Sequence, residues 1–213
     1  VRHDIPLSVI PEALMEAEPA ELARLLHKVN SDVLMLVSPN NPTGVQLSQG
    51  ALKTIIDFCR TNKRILILDA TFRFFLPRES VYDQYALLAD SGIDCILIED
   101  TGKTWPTLEI KAPFFSVSQT LVAEMAHIYS DFVLHVSPVA PRLLQGFIEL
   151  GVDHVHAIVQ TNRQTLVSAI EGTCLKASAA GYMGVEWLAV SGGKTAGGVR
   201  GKWAQAGVDV LPV

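Results

Sequence analysis

The chain reads as α/β: a mostly parallel sheet with helices on both faces, followed by the start of a smaller α+β C-terminal domain. Three observations predict it. Short apolar runs suited to buried strands recur at Val33–Val37, Ile65–Leu68 and Ile93–Ile98. Helical stretches of roughly 10 to 15 residues separate them, the mark of βαβ units with right-handed crossovers. Beyond Glu171 the texture changes to Gly and Ala.

The elements follow in order. Glu18-Pro19-Ala20 opens a helical pattern through Leu22, Leu25, Leu26 and Val29, with Pro where a first turn tolerates it. Val33–Val37 is then a strand. Ser48 is an N-cap for a helix carrying Leu52, Ile55, Ile56 and Cys59, which hands over to the strand Ile65–Leu68. A helical stretch at Tyr82–Ala89 precedes Ile93–Ile98. Phe114–Val117 supplies one more strand, and helices are expected over Thr120–Tyr129, Ala140–Leu150 and Val152–Ile170. Two short strands, Val185–Leu188 and Val208–Leu211, belong to the second domain, so the expected division is 1–150 and 151–213. The second part is too small for a core of its own.

Composition excludes several classes. With 17 Lys and Arg against 22 Asp and Glu, the net charge is −5, and no basic stripe offers itself to nucleic acid or an anionic membrane. An apolar content of 49% supports a real core. Cys59, Cys95 and Cys174 are odd in number and widely spaced, so neither a disulfide framework nor a CxxC metal site is indicated, and a reducing cytoplasm is the expected compartment. No apolar run reaches the length of a membrane span, and the start lacks both a signal h-region and an initiating Met, which leads us to expect a trimmed chain or a fragment.

Three segments carry chemistry, each just after an apolar run: Ser38-Pro39-Asn40-Asn41-Pro42-Thr43-Gly44, Leu68-Asp69-Ala70-Thr71-Phe72 and Glu99-Asp100-Thr101-Gly102-Lys103. In an open parallel sheet, the loops leaving the carboxyl ends of strands converge on one crevice. An amide, a carboxylate and a lysine arriving there together suit pyridoxal phosphate. That cofactor needs a donor to its phenolic oxygen, a counter-charge for its ring nitrogen and an imine partner. Burial and neighbouring positive charge are the expected means of making the lysine nucleophilic near neutral pH.

On these motifs the chain resembles the fold-type I pyridoxal phosphate-dependent aminotransferases, the aspartate aminotransferase-like superfamily of classes I and II. The resemblance covers nearly the whole chain and implies the large-domain fold of that family. In it an Asn-Pro-x-Gly turn sets its Asn on the cofactor's phenolic oxygen, which Asn41 matches. An Asp after the next strand pairs with the pyridine nitrogen, matched by Asp69, and a Lys after the third forms the internal aldimine, matched by Lys103. The implied activity is amino-group transfer from an amino acid to a 2-oxo acid, in a homodimer.

Departures accompany the matches. Phe72 stands where the family has a Tyr, so no hydroxyl reaches the phenolic oxygen. Asp100 stands where a Ser or Thr binds the phosphate, with Thr101 as a substitute if the loop is shifted. Lys111 stands where the family has an Arg fork. The family's N-terminal phosphate loop and its C-terminal end have no counterpart in the sequence. Two alternatives therefore accompany the aminotransferase: a truncated, non-catalytic chain or half of a split enzyme, and another reaction on the same scaffold, such as a lyase, decarboxylase or cyclase.

Several residues receive plainer readings. Arg73 is expected to be a surface cation, and Phe74, Phe75, Phe114 and Phe115 core residues. Gly102-Lys103-Thr104 and Gly193-Lys194-Thr195 lack the earlier glycine of a phosphate-binding P-loop. His154 and His156 face different sides of one helix and make no metal site.

Overall fold

The computed structural model describes residues 5–41, 43–105, 107, 110, 112–132 and 137–172, and the backbone of 175–177 and 188–190. Its main sheet has four strands, β1 (Val33–Val37), β2 (Ile65–Asp69), β3 (Cys95–Asp100) and β4 (Pro113–Val117), in that spatial order. The first three run parallel, with Val37 opposite Asp69 and Asp69 opposite Ile98. Strand β4 is antiparallel to β3, Ile98 facing Phe115. The sheet is thus mixed but mostly parallel, as expected of the α/β class.

Helix α1 (Pro19–Leu26) precedes β1, α2 (Gln49–Asn62) joins β1 to β2, and the short α3 (Gln84–Ala89) joins β2 to β3. Ser48 caps α2 as its spacing predicts, its side chain accepting the Ala51 N–H at 3.0 Å. The helix ends where Lys63 turns left-handed at φ 53°. Leu22 and Leu26 of α1 and Leu52, Ile55, Ile56 and Cys59 of α2 form one buried cluster with Leu34, Leu36, Leu66, Leu68, Cys95 and Leu97 of the strands. These strand residues share one face by the two-residue period of a β-strand.

The opposite face is more open. Val33 and Met35 are 43% and 60% exposed, and Ile67, Ile96 and Ile98 are only partly covered. The mostly parallel sheet flanked by helices is the α/β class expected. The Phe114 and Phe115 side chains, expected in the core, are 42% and 48% exposed because β4 is the edge strand.

After β3 comes a single turn, α4 (Thr101–Thr104), and after β4 come α5 (Val122–Phe132), α6 (Val139–Leu150) and α7 (Asp153–Ile170). Gly151, at φ 74°, makes the break between α6 and α7 that a side chain would strain. Beyond α7 the described backbone contains an antiparallel pair, β5 (Leu175–Ala177) with β6 (Leu188–Val190). Residues 185–187 and the expected strand Val208–Leu211 lie outside the described residues.

Candidate active site

Asn41 sits in a turn closed by its neighbours. The Gly44 N–H bonds the Asn40 carbonyl at 2.7 Å, and the Asn40 N–H bonds the Val45 carbonyl at 2.7 Å. Gly44 has φ 76°, which explains glycine at the end of the Asn-Pro-Thr-Gly segment. The buried Ser38 hydroxyl accepts the Leu47 N–H at 2.9 Å and holds the base of the turn to the start of α2. Glu12, in a 3-10 turn at Glu12–Glu16, accepts from both Asn40 Nδ2 and Thr43 Oγ1, so a segment that sequence reading left without a role braces this loop. The Asn41 side chain is exposed.

Asp69 ends β2 on the open face of the sheet. Its Oδ1 accepts the Thr71 N–H at 2.9 Å, a local turn that orients the carboxylate. The ladder continues past the strand ends: the Ser38 N–H bonds the Asp69 carbonyl at 2.8 Å and the Ala70 N–H bonds the Ile98 carbonyl at 2.9 Å. The three loops therefore leave one edge in a fixed register. Phe72 precedes the 3-10 turn Arg73–Phe75 and meets the Phe75 ring edge-on at 5.7 Å.

Lys103 lies in α4, directly beyond β3. Asp100 caps this turn, its carboxylate accepting the Gly102 N–H at 2.8 Å. The buried Thr101 hydroxyl donates to the Ala112 carbonyl at 3.1 Å and accepts the Ala112 N–H at 3.0 Å, which fixes where β4 begins. Trp105, also buried, donates from Nε1 to the Gly151 carbonyl at 3.2 Å. Lys103 itself is exposed, contrary to the expected buried lysine, although its neighbours Thr101, Gly102 and Thr104 in the same turn are buried. Asn41 and Lys103 thus stand beyond β1 and β3, and Asp69 at the end of β2 between them, adjacent strands lying about 4.8 Å apart. Lys111 lies outside the described residues.

The model of one family, described as aminotransferase class I and II, matches residues 8–186. The chain belongs to that family. A solved structure of MppP soaked with the product 2-ketoarginine is 33% identical, with a TM-score of 0.74, over 89% of this chain and 54% of that one. LysN, the α-aminoadipate aminotransferase of Thermus thermophilus, solved as a complex with N-(5'-phosphopyridoxyl)-L-leucine, shares the fold. Its TM-score is 0.69 and its identity 17%, over 91% of this chain and 52% of that one. LL-diaminopimelate aminotransferase of Azobacteroides pseudotrichonymphae genomovar. CFP2 is 28% identical over 94 residues, 44% of this chain and 23% of that protein. This aminotransferase-family chain spans about half the length of the MppP chain, and less than a quarter of the diaminopimelate enzyme aligns with it.

Membership of the aminotransferase family implies pyridoxal 5'-phosphate. The donor set at the strand ends fits the ring of that group: a carboxylate, a primary amine open to a ligand, and a side-chain amide. Its phosphate finds less. The Thr101 hydroxyl is engaged by Ala112, and Asp100 already holds the Gly102 N–H. Among the described residues, no group of three or more His, Cys, Asp and Glu could hold a metal, and no helix is long and apolar enough to cross a membrane.

Sequence reading missed one pair beside the site. Arg73, expected at the surface, forms an ion pair with Glu99 in which both side chains are largely covered, 19% and 16% exposed. The guanidinium also lies over Phe74, 4.3 Å from its centroid, and over Tyr85 at 5.3 Å. Burial pushes the Glu99 carboxyl above its ordinary range, with Arg73 and a hydrogen bond to Tyr85 pulling the other way. A signal was present. Glu99 continues the alternation of the buried Cys95 and Leu97, and a carboxylate on a core face calls for a cation.

Proposed function

We propose that this chain forms the lysine-bearing part of a pyridoxal phosphate-dependent aminotransferase that moves an amino group from an amino acid to a 2-oxo acid. The observation that carries the reading is the register: Asp69 closes β2, and Asn41 and Lys103 follow the adjacent parallel strands β1 and β3 at the same end of the sheet. Pyridoxal phosphate, when bound, supplies an aldehyde that takes up amines and a ring that withdraws electrons from the substrate α-carbon.

The chain's own residues divide the remaining work. Asp69 carries the carboxylate that keeps the ring nitrogen protonated. Lys103 Nζ holds the cofactor between substrates and carries the proton removed from the α-carbon. Asn41 donates its amide N–H to the phenolic oxygen, and Phe72 lines the same edge without a hydroxyl to add. Thr101, Asp100 and Lys111 are assigned to the phosphate side by their places around Lys103 in the sequence.

The likeness to MppP makes a cationic amino acid of the arginine type the first substrate to test. The reading includes a division into a large domain, 1–150, and a connecting helix with a small domain, 151–213. It also includes a cytoplasmic homodimer, supported by the exposed apolar side chains Ile128, Phe132, Leu143 and Leu150 on α5 and α6. The experiment is an amino-transfer assay with pyridoxal phosphate, a 2-oxo acid and a panel of amino acids, comparing the wild type with Lys103→Ala. Loss of at least about 10³-fold in the variant is expected, the scale of a lost nucleophile. An unchanged rate overturns the reading. The engaged Thr101 hydroxyl favours a second reading, a chain with the fold but without a competent site. Normal folding with no transfer and no bound chromophore would support it.

A further inference from the structure

We propose that Arg73 and Glu99 are a positioning pair that sets the separation between the Asp69 carboxylate and the Lys103 amine. The inference rests on the aminotransferase reading and deepens it. Arg73 lies four residues after Asp69, and Glu99 four residues before Lys103. Asp69 is in register with Ile98 on the open face of the sheet, so Glu99, the next residue of β3, points to the opposite, helix-covered face. The segment after Asp69 must cross the sheet edge for Arg73 to reach it. The Arg73 N–H bonds the Ala70 carbonyl at 3.0 Å and the Phe75 N–H bonds the Phe72 carbonyl at 3.0 Å, which makes that crossing a compact double turn. The ion pair therefore fastens the loop of one site residue to the strand that delivers the other.

The pair is stiff for stated reasons. Both side chains are largely covered, the guanidinium lies over the Phe74 ring and within reach of the Tyr85 ring, and Tyr85 comes from α3, so three elements meet on one cation. Phe74 in turn contacts Trp105, two residues past Lys103, with ring centroids 6.1 Å apart. A covered charge that loses its partner is costly, so the loop cannot drift without a penalty. Neither side chain belongs to the set assigned to the cofactor. Their effect is exerted through Asp69 and Lys103.

The test uses Arg73→Met, Arg73→Lys and Glu99→Gln in the full chain loaded with pyridoxal phosphate. Thermal unfolding identifies the variants that fold. In folded Arg73→Met and Glu99→Gln, we expect cofactor affinity to fall by about tenfold. The pH midpoint of the bound-cofactor absorbance should also move, since it depends on how the Asp69 carboxylate and the Lys103 amine are placed about the ring. Arg73→Lys, which keeps the charge but not the fork, should recover part of both. A midpoint and affinity equal to wild type in a folded Arg73→Met overturn the inference. Amide exchange without cofactor separates this failure from failure of the functional reading. A wild-type chain that binds no pyridoxal phosphate sinks the reading. In Arg73→Met, faster exchange at residues 70–76 with no change at residues 101–105 sinks the coupling, whether or not the cofactor binds.

Discussion

Trp105 donates its indole N–H to the carbonyl of Gly151, joining the turn of Lys103 to the break between α6 and α7. The bond is long-range and its donor is buried, so it ties a site loop to the helices that follow the sheet. Trp105→Phe keeps most of the apolar contact with Phe74 and loses the donor. We expect it to cost about 1 kcal/mol in urea unfolding, the net worth of one such bond. Trp105→Ala should cost about 3 to 5 kcal/mol, as removal of a buried aromatic does. A Trp105→Phe variant as stable as wild type would show that the bond itself contributes nothing.

Glu12 predicts a second outcome. Its carboxylate collects both Asn40 and Thr43, the side chains on either side of the Asn41 turn. Glu12→Ala removes the acceptor they share, while Asn40 Nδ2 keeps its bond to the Thr43 hydroxyl at 3.1 Å, and is expected to destabilise the chain by about 1 kcal/mol. Amide exchange should accelerate at Asn40 and Gly44 while that of α2 stays as in wild type. Uniform acceleration through α2 would assign Glu12 to global stability instead.

His156 gives a pH dependence with a definite sign. Burial lowers its pKa, and Arg78 adds to that, while Asp153 and the Leu76 backbone oppose it. A base whose folded-state pKa is depressed contributes stability that is present above its unfolded value. That contribution is lost as pH falls through the folded value. Wild type should therefore lose more stability than His156→Gln as pH drops from about 7 toward 5, below the ordinary imidazole value of about 6.5. Parallel stability curves for the two proteins would contradict this.

Cys59 titrates at the other end of the scale. Burial pushes its thiol from 9.0 up to about 11, so it stays protonated and unreactive near pH 8. Cys95 is buried and shifted in the same direction. A folded-state pKa raised in this way gives stability that is full below pH 9 and lost between about pH 9 and 11. Alkylation at pH 8 followed by peptide mapping should leave Cys59 and Cys95 unmodified until denaturant is added. Rapid labelling of the native chain at either residue would contradict the burial.

The alternation of strands and helices was legible because each parallel strand is a continuous apolar run, and α2 carries its own cap at Ser48. Other features depend on contacts between distant residues. The direction of β4 follows from Thr101 pinning Ala112, a hydroxyl bond that no periodicity announces. The burial of Arg73 depends on Glu99 and Tyr85 in other elements, so the residue looked like an ordinary loop cation. Phe114 and Phe115 look like core residues by composition, yet they lie on an edge strand. The exposure of Lys103 beside the buried Thr101, Gly102 and Thr104 is likewise not encoded in any local motif. The strand-end positions of Asn41, Asp69 and Lys103 could be read directly, since each follows an apolar run and the loops of a parallel sheet share an edge.

The most direct test asks which side chain takes hold of the cofactor. The chain is mixed with pyridoxal phosphate, reduced with borohydride, digested, and the modified peptide is identified by mass spectrometry. A single label on Lys103 is expected, abolished in Lys103→Ala and weakened in Asp69→Asn. A label on another lysine, or none on a folded chain, would contradict it.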